Sequence, residues 1–206
     1  MKNILKAYRI SALLLAMVAM GSGSIAGAGA QATEAASKYP AMVMIIRHAE
    51  KPLGDSKNGN LSPEGFKRAQ AIPWLFLQQP GSTRLPRFPR PDALFATDVS
   101  GHSERPLETI TPLAQVLKLH VNHDYSDAEV GPLAKEVTSG KYAGKVVLIA
   151  WHHSEIPRLA KAFGVKNAPK TWDDTVFDKV WLIDWSSGEP ELSILSQKLM
   201  PGDSLQ

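Results

Sequence analysis

The sequence predicts an α/β fold, a three-layer α/β/α sandwich around a largely parallel central sheet. Three observations predict it. Apolar runs of strand length alternate with segments of helical period, the arrangement that builds parallel sheets through crossover helices. Two of the runs, residues 41–46 and 146–151, are apolar at every position, as in strands covered on both faces. The chain then closes on two strand-like segments flanking Ser186-Ser187-Gly188-Glu189-Pro190, which reads as a hairpin.

Residues 1–32 have the pattern of a secretory signal peptide. Lys2, Lys6 and Arg9 make a positive start, residues 10–20 an apolar core, and Ala28-Gly29-Ala30 and Ala30-Gln31-Ala32 offer small-residue cleavage motifs. The core is too short to span a bilayer comfortably. The expectation is a periplasmic or secreted protein with no stable membrane anchor after cleavage. Residues 33–40 then form a flexible leader, and 41–206 one domain of about 170 residues, enough for a single core. The formal charge is +3, from 23 Lys and Arg against 20 Asp and Glu. The signal peptide carries three cations and no acid, so the mature chain is formally neutral. The basic pI of about 9.1 is therefore no sign of a nucleic-acid partner. There is no Cys, which excludes disulfides, thiol chemistry and Cys-ligated metal.

The first strand is expected over 41–47, followed by a Gly/Asn/Asp/Ser-rich loop over 50–60. Leu61-Ser62-Pro63-Glu64 starts a helix, with Ser62 as N-cap and Pro63 in the first helical position. Pro73 should kink or divide that helix. Residues 79–91, rich in Pro, Gly and Arg, can be neither regular helix nor central strand and read as a surface connector rather than a lid. A second strand is expected over 92–97. A helix should follow over 102–119, with Pro106 tolerated in its first turn and Pro112 a weak point. A short strand covers 120–123, and 127–137 has a weak helical pattern. After the strand at 146–151 a helix runs to Phe163 and closes with Gly164. Segments 179–185 and 192–199 form the hairpin. His120 and His123 lie three apart, and on a strand that spacing puts their rings on opposite faces, so no metal site is expected there.

Functional groups of a parallel sheet gather at the carboxyl ends of its strands. Three such ends carry related residues here. The first strand ends in Arg47-His48, the second leads into Ser103-Glu104-Arg105, and the strand at 146–151 ends in His152-His153. Two arginines and histidines meeting at one edge make an anion site. Guanidinium forks match phosphoryl oxygens, and a neutral imidazole can attack phosphorus.

These motifs resemble those of the histidine phosphatase superfamily, also called phosphoglycerate-mutase-like. Arg47-His48-Ala49-Glu50 is similar to its Arg-His-Gly-Glu signature, with Ala49 in place of the usual Gly. Leu61-Ser62-Pro63-Glu64-Gly65, with Ala69 after it, resembles the helix start that follows in the family. Ser103-Glu104-Arg105-Pro106-Leu107-Glu108-Thr109 sits where the family has Arg-Ala-x-x-Thr. The strand ending in His152-His153 sits where it has an apolar strand ending in His. The resemblance covers about residues 41–199, with the motifs in order.

The resemblance implies a phosphoglycerate-mutase-like fold and a division of labour. His48 is the nucleophile that becomes phosphohistidine, and Arg47 and Arg105 hold the phosphoryl oxygens. One of His152 and His153 completes the pocket. A Trp-x-His-x-x-Ile-Pro pattern favours His153 as the catalytic one and leaves His152 to substrate binding, whereas alignment on Pro157 favours His152. The acid that protonates the leaving oxygen is placed by offset from Arg105 at Glu129, with Asp127 as its rival. No metal and no cofactor are implied. The expected function is hydrolysis of a small phosphate monoester. Two alternatives use the same fold: a non-catalytic phosphate- or phosphosugar-binding protein and a phosphoglycerate-mutase-type phosphotransferase. Export argues against the latter, whose substrates are cytoplasmic.

Overall fold

A computed structural model of the chain describes residues 38–54, 59–99 and 103–204. The expected signal peptide at 1–32 lies outside the described residues, as do the leader up to residue 37 and position 102, the expected start of the helix before His120. Among the described residues the chain builds six strands and four α-helices. In chain order they are β1 (Met42–Arg47), α1 (Pro63–Ala71), a 3-10 helix (Ile72–Leu75), β2 (Ala93–Thr97), α2 (Arg105–Leu117), β3 (Val121–Tyr125), α3 (Val130–Val137), β4 (Val146–Trp151), α4 (Ile156–Ala162), β5 (Lys179–Asp184) and β6 (Glu191–Ser196). No helix among the described residues is long and apolar enough to cross a membrane.

The strand order is β3-β2-β4-β1-β5-β6. β3, β2, β4 and β1 run parallel, whereas β5 is antiparallel to β1 and β6 to β5. β1 is thus central and has no solvent face. Its alternate side chains enter separate apolar clusters. Val43 and Ile45 pack with Leu133, Ile156 and Leu159 of α3 and α4, while Met44 and Ile46 pack with Ile72, Leu75, Ile110 and Leu113 of the 3-10 helix and α2. Each such burial contributes about 1.5–3 kcal/mol, so the strand that carries His48 has a stiff base.

The helix starts follow their sequence signals. Ser62 Oγ accepts the Gly65 N–H at 3.0 Å, with Pro63 first in α1. A Cβ on Gly65 would meet the Glu50 carbonyl oxygen at 2.3 Å, so only glycine lets α1 lie backbone to backbone on the loop after His48. Ala49, fully buried, packs its methyl with Leu61 and Ala69. Pro73 falls where α1 gives way to the 3-10 helix. α2 runs through Pro112, and the Thr109 and Thr111 hydroxyls bond to the carbonyls of Arg105 and Leu107. The Pro-rich connector is anchored by Phe88, which is buried against Phe76 and donates its N–H to the Leu75 carbonyl.

The geometry at His120 and His123 corrects the expectation. β3 begins only at Val121, and its pairing to β2 shifts register across the stretch holding His123. Strict alternation is lost, and the two rings lie on the same side, stacked with centroids 6.5 Å apart. Among the described residues no group of three ligating side chains is assembled there or elsewhere.

Candidate active site

β1 and β4 are parallel neighbours, with Arg47 paired to Trp151 and the His48 N–H donated to the Trp151 carbonyl at 3.0 Å. The residues that leave each strand therefore emerge side by side. The rings of His48 and His152 meet edge to face, centroids 5.4 Å apart. His48 is 2% exposed, and its Nδ1 lies 2.7 Å from the Ala49 carbonyl oxygen. A carbonyl can only accept, so Nδ1 carries the proton and Nε2 keeps a lone pair. Burial pushes the pKa of His48 down to about 2. The bond to Ala49 opposes this, and the charges of Arg47, His152 and Arg105 reinforce it. His48 is thus held as the neutral imidazole that nucleophilic attack needs.

Arg47 is buried beside it. Its Nη1 is used up by backbone carbonyls, at 2.6 Å to Asp174, 3.0 Å to Val176 and 3.5 Å to Asp173. Its Cζ stands 3.8 Å over the Phe177 ring. The Nε and Nη2 atoms are buried and have no hydrogen-bond partner. They form one edge of the guanidinium plane, the edge that grips two oxygens of an oxyanion at once. Burial, with Asp174 opposing, brings the pKa of Arg47 down to about 10, which leaves it charged at neutral pH.

Arg105 opens α2, and its charge bears on both Arg47 and His48. Burial lowers its own pKa, with Glu108 opposing. One turn on, Thr109 locks the helix to the loop after β1: its Oγ1 accepts the Ala49 N–H at 2.8 Å and donates to the Arg105 carbonyl at 2.7 Å. The sequence segment Arg105 to Thr109 is in this way both a charge and a brace.

The histidine pair divides as neighbours at a strand end should. His152 faces His48; its Nε2 is 3.2 Å from Ser103 Oγ and its Nδ1 is 3.0 Å from Asp127 Oδ1. The carboxylate lies off the line of the ring N–H, so the Asp127 contact is electrostatic rather than a hydrogen bond. His153 is half-buried, and its pKa is lowered by burial first and then by Arg47 and Lys51. The structure thus brings His152, not His153, against His48. It likewise brings Asp127, not Glu129, to the histidines. The Trp151 indole donates to the Asp127 carbonyl at 3.2 Å and holds that loop to β4. Glu129 stands at the N-terminus of α3 without a capping bond to it, its exposed carboxylate turned back to accept the Ser126 N–H and Oγ–H at 2.9 and 2.7 Å.

Two contributors have no local sequence signal. The backbone carbonyls of 173–176 seat Arg47, and Phe177 packs on both Arg47 and His48, its ring centroid 6.1 Å from that of His48. Both lie about 130 residues from β1 and reach it only through the fold. Ser103 stands in a segment that sequence reading singled out for Arg105, and its proximity to His152 is likewise a tertiary contact.

No family model matches the chain, and no curated protein sequence does. Solved structures do. Phosphoserine phosphatase from Entamoeba histolytica matches as a mutant in complex with phosphoserine, with a TM-score of 0.50 and 14% identity over 77% of this chain and 98% of that one. The same enzyme in complex with 3-phosphoglyceric acid matches with a TM-score of 0.50 and 15% identity, over 76% of this chain and 98% of that one. The protein histidine phosphatase SixA complexed with tungstate matches with a TM-score of 0.50 and 14% identity, over 76% and 97% of the two chains. The chain therefore shares the mixed α/β fold of these phosphatases.

Proposed function

We propose that this protein is a histidine phosphatase that hydrolyses a small phosphate monoester through a phosphohistidine on His48. The observation that carries this reading is the open Nε/Nη2 edge of Arg47 beside a buried, neutral imidazole with an available Nε2. A buried donor without a partner costs about 1–3 kcal/mol, and an oxyanion held there relieves that cost. The fold shared with phosphatases bound to phosphoserine, 3-phosphoglyceric acid and tungstate agrees with a small phosphorylated ligand.

In the first step His48 Nε2 attacks phosphorus, the ester P–O bond breaks, and Asp127 gives its proton to the departing alcohol. Arg47, Arg105 and His152 stabilise the charge on the phosphoryl oxygens. In the second step Asp127 takes a proton from water, the water oxygen bonds to phosphorus, the P–N bond breaks, and phosphate leaves with His48 restored. Asp127 takes the acid role expected of Glu129, and His152 the pocket role expected of His153, because these are the side chains at His48 or its partner ring. The phosphoryl charge is met by protein cations, so no step calls on a metal. The two apolar clusters on either side of β1 support the reading of a three-layer sandwich. The pattern of residues 1–32 supports export, and N-terminal sequencing of the protein recovered outside the cytoplasm tests it.

The central experiment assays a panel of phosphate esters, including p-nitrophenyl phosphate, in EDTA with wild type and His48→Ala. Wild type should turn over and the variant should not. Acid-labile, base-stable phosphate should appear on wild-type protein quenched during turnover. Equal activity in the variant overturns the mechanism. Asp127→Asn should lose about 10²–10⁴-fold and Glu129→Gln little; the reverse result would return the acid role to Glu129.

A further inference from the structure

We infer that the esters taken by this site carry an apolar leaving group, seated in a cleft beside His48. This deepens the phosphatase reading and rests on it. A cleft of about 820 Å³ opens next to the candidate active site, and Pro52, Leu53, Pro63 and Phe177 supply its apolar lining. Phe177 joins the two regions. Its ring lies under the Arg47 guanidinium and against the His48 ring, and the same ring is part of the cleft wall. A monoester with its phosphorus at His48 has its alcohol within reach of that wall.

Two observations indicate what the cleft prefers. First, Leu53 at its mouth is completely exposed, a large apolar side chain with no core to join. A ligand that covers it gains what the fold leaves unused. Second, four of the six polar side chains of the cleft already bond within the protein, Glu50 through Oε1 alone, its buried Oε2 having no hydrogen-bond partner. Glu50 holds Arg68, Ser62 caps α1, Glu64 pairs with Lys67, and Thr175 bonds to Asp173. A polyhydroxyl group would find few partners here and would lose those it has in water. An alkyl or aryl group loses nothing and buries Phe177, Leu53 and the two prolines. Lys51 and Asp174 stand at the rim as charges of opposite sign.

The test compares n-hexyl phosphate, ethyl phosphate and glycerol 3-phosphate. Hexanol and ethanol leave with similar intrinsic ease, so their difference reports how the alcohol is held. Glycerol leaves more easily, so a rate no better than that of the ethyl ester reports poor seating. For wild type, kcat/KM on the hexyl ester should exceed that on the ethyl ester by about 10- to 100-fold, with glycerol 3-phosphate no better than ethyl. Leu53→Asp and Phe177→Ala should each shrink the hexyl-to-ethyl ratio about tenfold. Equal rates on hexyl and ethyl esters, or a preference for the glycerol ester, overturn the inference and leave the phosphatase reading standing. No turnover of any ester overturns the phosphatase reading instead. Binding of n-hexylphosphonate against ethylphosphonate, measured by calorimetry, reads the cleft in either case, and equal affinities overturn the inference.

Discussion

Arg47 and Arg68 are both buried arginines a few residues from the same loop, and they are provided for in opposite ways. Arg68, on α1, has every guanidinium nitrogen engaged. Its Nε and Nη2 meet Glu50, its Nη2 and Nη1 meet the two oxygens of Asp203, and Nη1 also donates to Gln197. Burial alone would lower its pKa, but the bonds to Asp203 and Glu50 raise it. Among the described residues no carboxylate is in hydrogen bond with Arg47. Three carbonyls fix one nitrogen, burial lowers its pKa, and two nitrogens are left without partners. The first is a closed structural joint between α1, the loop after β1 and the C-terminal residues. The second keeps one guanidinium edge, Nε and Nη2, without a hydrogen-bond partner, and such an edge suits an oxyanion. A buried cation that the fold satisfies holds the fold; one that it leaves open is available to a ligand.

The contrast can be broken by experiment. Arg68→Ala strands Asp203 and Glu50 and should cost about 3–5 kcal/mol of stability in urea unfolding. A loss below about 1 kcal/mol would show the joint to be idle. Arg47→Ala should weigh on activity instead: kcat/KM falls about 10²–10³-fold, while the loss of stability, from three carbonyls left without their donor and the space over Phe177, stays smaller than in Arg68→Ala because no buried carboxylate is stranded. Inorganic phosphate at 100 times its Kd should stabilise wild type by about 2.7 kcal/mol. That gain should vanish in Arg47→Ala and survive in Arg68→Ala.

The smallest effect is on pH dependence, and its pH window separates the two regions. His48 has a folded pKa of about 2 against an ordinary value of 6.5. Between these values the unfolded chain binds a proton that the native one does not. Stability therefore falls as pH drops below about 6.5, by up to about 1.4 kcal/mol per pH unit. His153, also lowered, adds to the same window. Burial would raise the pKa of Asp203, but Arg68 and the Met200 and Leu199 N–H groups hold it below the usual carboxylate range. Its contribution persists above about pH 4 and is lost only below it. Unfolding measured from pH 7 to 5 should thus be flatter in His48→Ala than in wild type.

Much of the layout is legible in the sequence alone. The apolar run that ends in Arg47-His48, the Ser62-Pro63 helix start, the break at Pro73 and the hairpin around Gly188 each rest on interactions within a few residues, and each appears where the pattern puts it. Illegible features depend on partners far away in the chain. Offset counting from Arg105 pointed to Glu129, but contacts around the turn place the two acids differently: Glu129 spends its carboxylate on Ser126, while Asp127 lies beside His152. The choice between His152 and His153 also escaped local pattern, because two adjacent residues at a strand end differ only in which neighbour they meet. His120 and His123 were misjudged for the same reason, since a register shift against β2 is a property of the pair of strands and not of either one.

By itself the sequence determined which residues could form strands and helices, and that two arginines and the histidines would leave the strands at one edge of the sheet. Those outcomes follow from periodicity and capping, which act over one or two turns. Only the tertiary structure decided that carbonyls of residues 173–176 would clamp one end of Arg47 and leave the other open, and that Phe177 would join that arginine to an apolar cleft. Hydrogen-bond satisfaction is a sum over everything that reaches an atom, and a buried atom is reached mainly by residues distant in the chain.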